Sequence, residues 1–524
     1  MTISKWMTMG TVLKMHALNY PDKEGAADKS RTMTFKQWNE RSCRLGNALG
    51  NLGIKKGDRF AILAYNCVEW MEIYAAAAKA GQICVPIMFR LAAPEIKYIV
   101  NHAECKGFLV AKEFVETVNS IRDELLIPGE NYVYLGNDQP PPGYRHYESL
   151  IETASPEEPE VTVDGVDPWT IMYTSGTTGR PKGVVRSHER NVAHYVSNIV
   201  NMGIRPDDCT MLVMPMCHVN SIHYSFTYTY VGARCFVYNA PSFDPVDVLK
   251  TIDAQKITFT SLVPTHYIMM LALPDEIKKN IDVSSIRQLL ISSAPARKET
   301  KLAIMEYFKN AELWEAYGST EAGLVTLLRP EEQFKKLGSI GREVFGTDRI
   351  KLLDKNGGEV PRGQVGELYS RAPHAFNEYW KDPERTKSAF KGEWFSAGDM
   401  AYQDEDGYYV LVDRRANMII TGGENVFPSE VENALGSHPA VKYVVVIGVP
   451  HEKWGEAVKA VVALHQGKAV TDKELIEHCR ARIAGYKVPK SIDIIREEDM
   501  PMTPTGKILH RVLRDKYGKW SDVR

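Results

Sequence analysis

Residues 173–183 read Tyr-Thr-Ser-Gly-Thr-Thr-Gly-Arg-Pro-Lys-Gly, a run whose side chains are suited to holding a polyphosphate. Gly176, Gly179 and Gly183 let the backbone come close to a ligand. Thr174, Ser175, Thr177 and Thr178 offer hydroxyl donors, and Lys182 adds a cation. A Walker A loop would place lysine between glycine and serine or threonine, whereas here Pro181 precedes Lys182 and Gly183 follows it. Length and patterning stand against a merely flexible polar turn. The apolar Trp-Thr-Ile-Met before Tyr173 predicts that the loop leaves the end of a strand.

Further segments carry groups suited to chemistry. In chain order they are Met214-Pro-Met-Cys-His-Val-Asn220, Ser292-Ser-Ala-Pro295, Tyr317-Gly-Ser-Thr-Glu321, Trp394-Phe-Ser-Ala-Gly-Asp399, Asp413-Arg-Arg-Ala416, Gly422-Gly-Glu-Asn425 and Pro501-Met-Thr-Pro-Thr-Gly-Lys507. Singly, several are ordinary turns. Together, in this order over nearly the whole chain, they resemble the motifs of the acyl-adenylate-forming superfamily, which includes acyl-CoA synthetases, nonribosomal adenylation domains and luciferases. Met33-Thr-Phe35 and Lys79 to Ile87 resemble its first two motifs, which are structural.

The resemblance implies an ATP-dependent, AMP-forming activation of a carboxylic acid, with Mg²⁺ and coenzyme A as the further requirements. It implies nucleotide contacts from Ser175, Gly176, Thr177, Thr178, Gly179 and Lys182, adenine packing on Ser293, Ala294 and Pro295, and stacking on Tyr317 beside Gly318, Ser319 and Thr320. Glu321 would hold the magnesium, as a hard oxygen ligand can where phosphates are bridged. Asp399, with paired acceptor oxygens, would take the ribose hydroxyls, and Arg414 would contact ribose or phosphate. Lys507 would align carboxylate and α-phosphate, two anions that repel, and stabilise charge gathering at the transferring phosphorus. Thr174, Glu321, His218 and Lys507 are the expected catalytic set. Gly422, Gly423 and Glu424 would line the CoA channel. His218, Val219, Asn220, Val263, His266, Ser292 and Gly318 would line an acyl pocket whose small and polar character suits a medium-chain, alicyclic or aromatic acid. Ala397 stands where threonine is common, and Ala416 where the hinge usually has a polar residue. An acceptor other than CoA, a carrier protein, is the alternative reading. A non-catalytic nucleotide or acyl binder is disfavoured by Lys182, Glu321, Asp399, Arg414 and Lys507 occurring together.

These residues need a frame. A chain of 524 residues exceeds one core. Short β-rich runs such as Arg59-Phe-Ala-Ile-Leu-Ala-Tyr65 and Cys235-Phe-Val-Tyr-Asn-Ala240 alternate with helical stretches, which predicts an α/β fold: a large layered N-terminal domain of α/β subdomains over residues 1–413, a hinge at 414–416, and a small mobile α+β domain over 417–524. In the tail, Ser429 with Glu432 and Thr471 with Glu474 each read as a capping box opening a helix, and 441–449 and 457–464 read as strands. The 64 basic and 66 acidic residues nearly balance, so no global field recommends nucleic acid as a partner. Eight scattered cysteines, without a CxxC pair, suggest reduced thiols and a cytoplasmic protein. The apolar stretch 73–87 is too short to span a bilayer and is expected to be buried in protein. The expected partner is a small carboxylic acid, and a homodimer is compatible with the sequence.

Overall fold

A computed structural model describes residues 8–174, 181–292, 296–414, 417–421, 424–452, 454–502 and 508–518, with the backbone alone for Arg414, Asn425 and Arg511. The chain forms two compact units. The first comprises 1–337, 341–349 and 370–395, the second 338–340, 350–369 and 396–524.

The first unit is α/β, as expected. Its eight-stranded sheet has the spatial order Glu378–Tyr379, Lys182–Ser187, Pro168–Thr174, Ile83–Pro86, Arg59–Leu63, Cys105–Ala111, Tyr132–Leu135 and Arg145–His146. From Pro168–Thr174 onward the pairings are parallel. Strands covered on both faces read as unbroken apolar runs, and Phe60 to Leu63 are fully buried accordingly. The alanine-rich helix Glu69–Ala80 is buried along its length and ends at Gly81, whose φ of 64° places it in the left-handed region. The stretch 73–87 is thus core, as its length required. A nine-stranded sheet follows the order Arg342–Glu343, Gly323–Leu328, Glu312–Ser319, Gln288–Ile291, Phe259–Leu262, Cys209–Leu212, Arg234–Val237, Glu24–Ala27 and Thr32–Thr34.

The second unit holds a four-stranded antiparallel sheet of Lys351–Leu353, Gly366–Tyr369, Asp399–Gln403 and Tyr409–Arg414. It also holds a five-stranded sheet built on the long pair Val441–His451 and Gly455–Leu464. Both strands expected in the tail are therefore present. So is the Thr471–Glu474 capping box, which opens the helix Asp472–Arg480. The Ser429–Glu432 box does not form. Pro428, favoured at the first helical position, starts the helix Pro428–Gly436 with Phe427 as its cap, so Ser429 falls inside the first turn. Its N–H is taken by Asp413 Oδ2 at 3.0 Å, and its hydroxyl donates to the Val412 carbonyl. Glu432 is turned away and accepts the Val446 N–H at 2.8 Å. All eight cysteines are free thiols, and among the described residues no helix is long and apolar enough to cross a membrane.

Candidate active site

The hydroxyl-rich loop is the connection of an antiparallel hairpin. Pro168–Thr174 pairs with Lys182–Ser187, and Thr174 stands directly opposite Lys182 at the loop's mouth. The strand origin read from the apolar run before Tyr173 is thus observed, while Ser175, Gly176, Thr177, Thr178 and Gly179 lie outside the described residues. The Thr174 hydroxyl is buried and has no hydrogen-bond partner among the described residues, which suits a group whose partner is a ligand oxygen. Gly183 serves packing rather than ligand approach: a Cβ there would lie 2.8 Å from Ile171 Cγ2 and 3.2 Å from Trp380 Cβ.

Lys182 reaches across to a second hairpin. Its Nζ lies 2.6 Å from Glu321 Oε1 and donates to Tyr379 Oη at 2.7 Å, and the Tyr379 hydroxyl donates in turn to Glu321 Oε1 at 3.0 Å. Burial, with the Glu321 charge adding to it, pushes the Tyr379 phenol well up, so it stays a donor. The Glu321 side chain is only 8% exposed, and a carboxylate and ammonium withdrawn from water this far need one another.

Glu321 sits in the turn between Glu312–Ser319 and Gly323–Leu328. The first strand carries Tyr317, Gly318 and Ser319 in register with the second, with a bulge between Tyr317 and Gly318. Gly318 has no substitute, because a Cβ would come 2.1 Å from the Gly323 carbonyl oxygen. The Ser319 hydroxyl accepts the Ala322 N–H at 3.0 Å and closes the turn. Hydrogen bonds and ion pairs among the described residues reach Glu321 at Oε1, leaving its second oxygen for a hard cation. This donor, with phosphate oxygens and water, fits magnesium, which binds through one or two carboxylates plus substrate phosphates.

His218 caps the helix Val219–Tyr230, its Nδ1 accepting the Asn220 N–H at 3.3 Å. Asn220 Nδ2 donates to Ser261 Oγ at 2.9 Å and to Ser292 Oγ at 3.1 Å, so three strand and helix ends meet in one polar knot. Val263 is buried at the start of the helix Pro264–Leu271. His266, on that helix, stacks on Phe243 with centroids 4.0 Å apart, and burial pulls its imidazole down to about 4. Ser293, Ala294 and Pro295 lie outside the described residues.

In the second unit Asp399 is buried at the head of its strand and is paired in register with Arg414. Glu424 is exposed on the short strand Glu424–Val426. Ala416, Gly422, Gly423 and Lys507 fall outside the described residues.

Residue types alone missed two participants. Tyr379 sits in no motif. Arg186 is a charge inside an otherwise apolar strand, Gly-Val-Val-Arg-Ser, and that interruption was the available signal. It is fully buried, with Nη1 donating to the Thr320 carbonyl at 2.9 Å, Nη2 to the His374 carbonyl at 2.8 Å and Nε to Asn191 Oδ1 at 3.2 Å.

The model of the family described as AMP-binding enzyme matches residues 13–380, and that of the AMP-binding enzyme C-terminal domain matches 430–507. The chain is 34% identical to the long-chain-fatty-acid–CoA ligase FadD13 of Mycobacterium tuberculosis over 514 residues, 97% of this chain and 98% of that protein. It is 34% identical to a feruloyl-CoA synthase of Amycolatopsis sp over 489 residues, 93% and 94% of the two chains. Among solved structures, the anthranilate CoA ligase AuaEII in complex with anthranoyl-AMP superposes with a TM-score of 0.86 at 29% identity, covering 98% of this chain and 97% of that one.

Proposed function

This chain belongs to the AMP-binding enzyme family and is an AMP-forming acid–CoA ligase, and from that premise we propose that its acid is compact: aromatic, alicyclic or medium-chain. The observation that carries the chemistry is the Lys182–Glu321–Tyr379 cluster at the mouth of the hydroxyl-rich loop. A carboxylate oxygen of the acid attacks the α-phosphorus of ATP, the bond to the β-phosphate oxygen breaks, and pyrophosphate leaves. The CoA thiolate then attacks the acyl carbonyl and AMP departs. No covalent enzyme intermediate is required, so the protein's work is to place groups and neutralise charge.

Lys182 takes phosphate charge once ATP is bound, Thr174 and the hydroxyls of Ser175, Thr177 and Thr178 donate to phosphate oxygens, and Tyr317 stacks on adenine. Glu321 is the residue that would hold magnesium, which supplies charge neutralisation for the departing pyrophosphate. Asp399 binds the ribose diol and Arg414 lies beside it. Lys507 serves adenylation and the Gly422–Glu424 loop serves thioester formation, alternating about a hinge at 414–416.

The compact acid is supported by the Asn220–Ser261–Ser292 knot, since polar groups already bonded to one another give a long alkyl chain little apolar surface to bury against. Fatty, feruloyl and anthraniloyl substrates named for the similar proteins span the size range to be tested. A panel of benzoic, cinnamic, cyclohexane-carboxylic and C6 to C18 straight-chain acids, assayed for CoA-dependent AMP release, separates the classes. The highest kcat/KM is expected among the ring acids and C6 to C10. A maximum at C16 or C18 would defeat the compact-acid reading while leaving the ligase intact.

A further inference from the structure

The turn bearing Thr320 and Glu321 is held from below by buried side chains that no step above employs. Arg186 donates to the Thr320 carbonyl and to the His374 carbonyl. His194 Nδ1 accepts the Leu324 N–H at 3.3 Å, and His374 Nε2, necessarily protonated, donates to the Leu324 carbonyl at 2.8 Å. Arg190 Nη1 adds a bond to the Ala375 carbonyl at 2.8 Å, and Asn377 Oδ1 accepts the Ser187 N–H at 2.7 Å. The segment 374–379 is thereby fixed to the Lys182–Ser187 strand, and it is the segment that ends in Tyr379.

We propose that Arg186 is a positioning residue for adenylation, its buried guanidinium locking the Glu321 turn and the Tyr379 segment in the one relative placement that lets both meet Lys182. The inference rests on the reading of Lys182 and Glu321 as the phosphate and magnesium groups.

A purely structural role accounts poorly for the choice of residue. A fully buried guanidinium costs desolvation, and its hydrogen-bond partners are neutral carbonyls and an amide rather than a carboxylate. The strain on the charge is visible in a guanidinium pulled down to about 10, chiefly by burial, with Glu321 among the groups that favour its charged form. A leucine or methionine would fill the strand without that cost. What the guanidinium alone supplies is a rigid fork spanning two main-chain carbonyls on different segments. One of those carbonyls is adjacent in sequence to Glu321, and the Glu321 carbonyl itself accepts the Phe376 N–H at 2.6 Å. Two segments tied by these three hydrogen bonds leave the Glu321 and Tyr379 side chains little freedom.

The test compares Arg186→Met, Arg186→Gln and Arg186→Lys in the full chain. The readouts are ATP–pyrophosphate exchange, thioester formation from supplied acyl-AMP and CoA, and thermal midpoint. Loss of the fork should lower kcat for exchange by about a hundredfold in the Met variant, the scale of a misplacement near 1 Å. Lys and Gln, which each replace part of the donor set, should recover about tenfold. Thioester formation, in which pyrophosphate is already gone, should change by less than about threefold. An exchange rate within about threefold of wild type in Met, or equal losses in both half-reactions for all three variants, overturns the proposal. If Met does not fold, the Lys and Gln variants decide by the same split between half-reactions. Absence of exchange in the wild-type protein with every acid would defeat the functional reading instead. Arg186 is then judged by Mg-ATP affinity, with about a tenfold loss expected in the Lys variant and an unchanged affinity overturning its role.

Discussion

At the scale of single residues, the site reduces to one lysine, one carboxylate and one phenol. Tyr379 holds a middle place, accepting from Lys182 and donating to Glu321. Tyr379→Phe removes the hydroxyl and keeps the ring that Lys182 overlies at 4.4 Å. The expected result is a stability loss of about 1 kcal/mol, the net worth of a hydrogen bond, and a fall in pyrophosphate exchange of about tenfold, because lysine and carboxylate then lose the hydroxyl that fixes the orientation of both. Exchange kinetics beside a thermal melt check both, and an exchange rate unchanged within a factor of about two would remove Tyr379 from the site. Lys182 and Glu321 were legible in the sequence because each lies in a dense local run of unusual residue types. Tyr379 and Arg186 were not, since their meaning depends on partners 58 and 134 residues away in the chain.

At the scale of elements, local chemistry was read correctly where nothing long-range competed with it. The Thr471–Glu474 box forms because its helix begins in solvent and both groups find their partners within one turn. The Ser429–Glu432 pattern has the same letters, yet Pro428 advances the helix start by two positions and Asp413, from a strand 16 residues earlier, takes over the capping of the first turn. The two patterns therefore predict different mutational responses. Thr471→Ala should cost about 1 kcal/mol. Asp413→Ala should cost at least as much, about 1–2 kcal/mol, since it also forfeits the contact from Asn417 Nδ2 at 3.2 Å. Urea unfolding of each variant measures the differences, and an Asp413→Ala protein as stable as wild type would show that the Ser429 N–H finds another acceptor. The strand hosting the loop, the burial of 73–87 and both tail strands were legible for a related reason: their apolar patterning is strong and local. The bulge at Tyr317 and Gly318 was not, because it is set by pairing with the next strand.

At the scale of the whole molecule, the two units carry buried titratable groups of opposite sign, and stability should respond to pH from both sides. In the first unit His188 is fully buried, stacked on Trp169 with centroids 5.5 Å apart, and neither ring nitrogen has a hydrogen-bond partner among the described residues. Burial pulls its imidazole from 6.5 to about 3, with Asp167 opposing and Lys56 assisting. A base held neutral in the folded state binds fewer protons than the unfolded chain between those values. Its contribution is therefore intact above about pH 6.5 and is lost on acidification toward 3, at about 1.4 kcal/mol per pH unit. In the second unit burial and the Asp413 charge push the Glu432 carboxyl from 4.5 up to about 8. Here the folded state holds a proton that the unfolded chain releases, so stability is intact below about 4.5 and falls as pH rises through 8. Between about pH 4.5 and 6.5 the two effects oppose one another, so the thermal midpoint should be highest there, declining below about 4.5 through His188 and between about 6.5 and 8 through Glu432. His188→Phe keeps the ring stack and should flatten the acid limb alone, whereas Glu432→Gln should flatten the alkaline limb alone. Differential scanning calorimetry from pH 3 to 9 distinguishes them. A single variant that altered both limbs would show that the two groups titrate as a coupled pair rather than as properties of separate units.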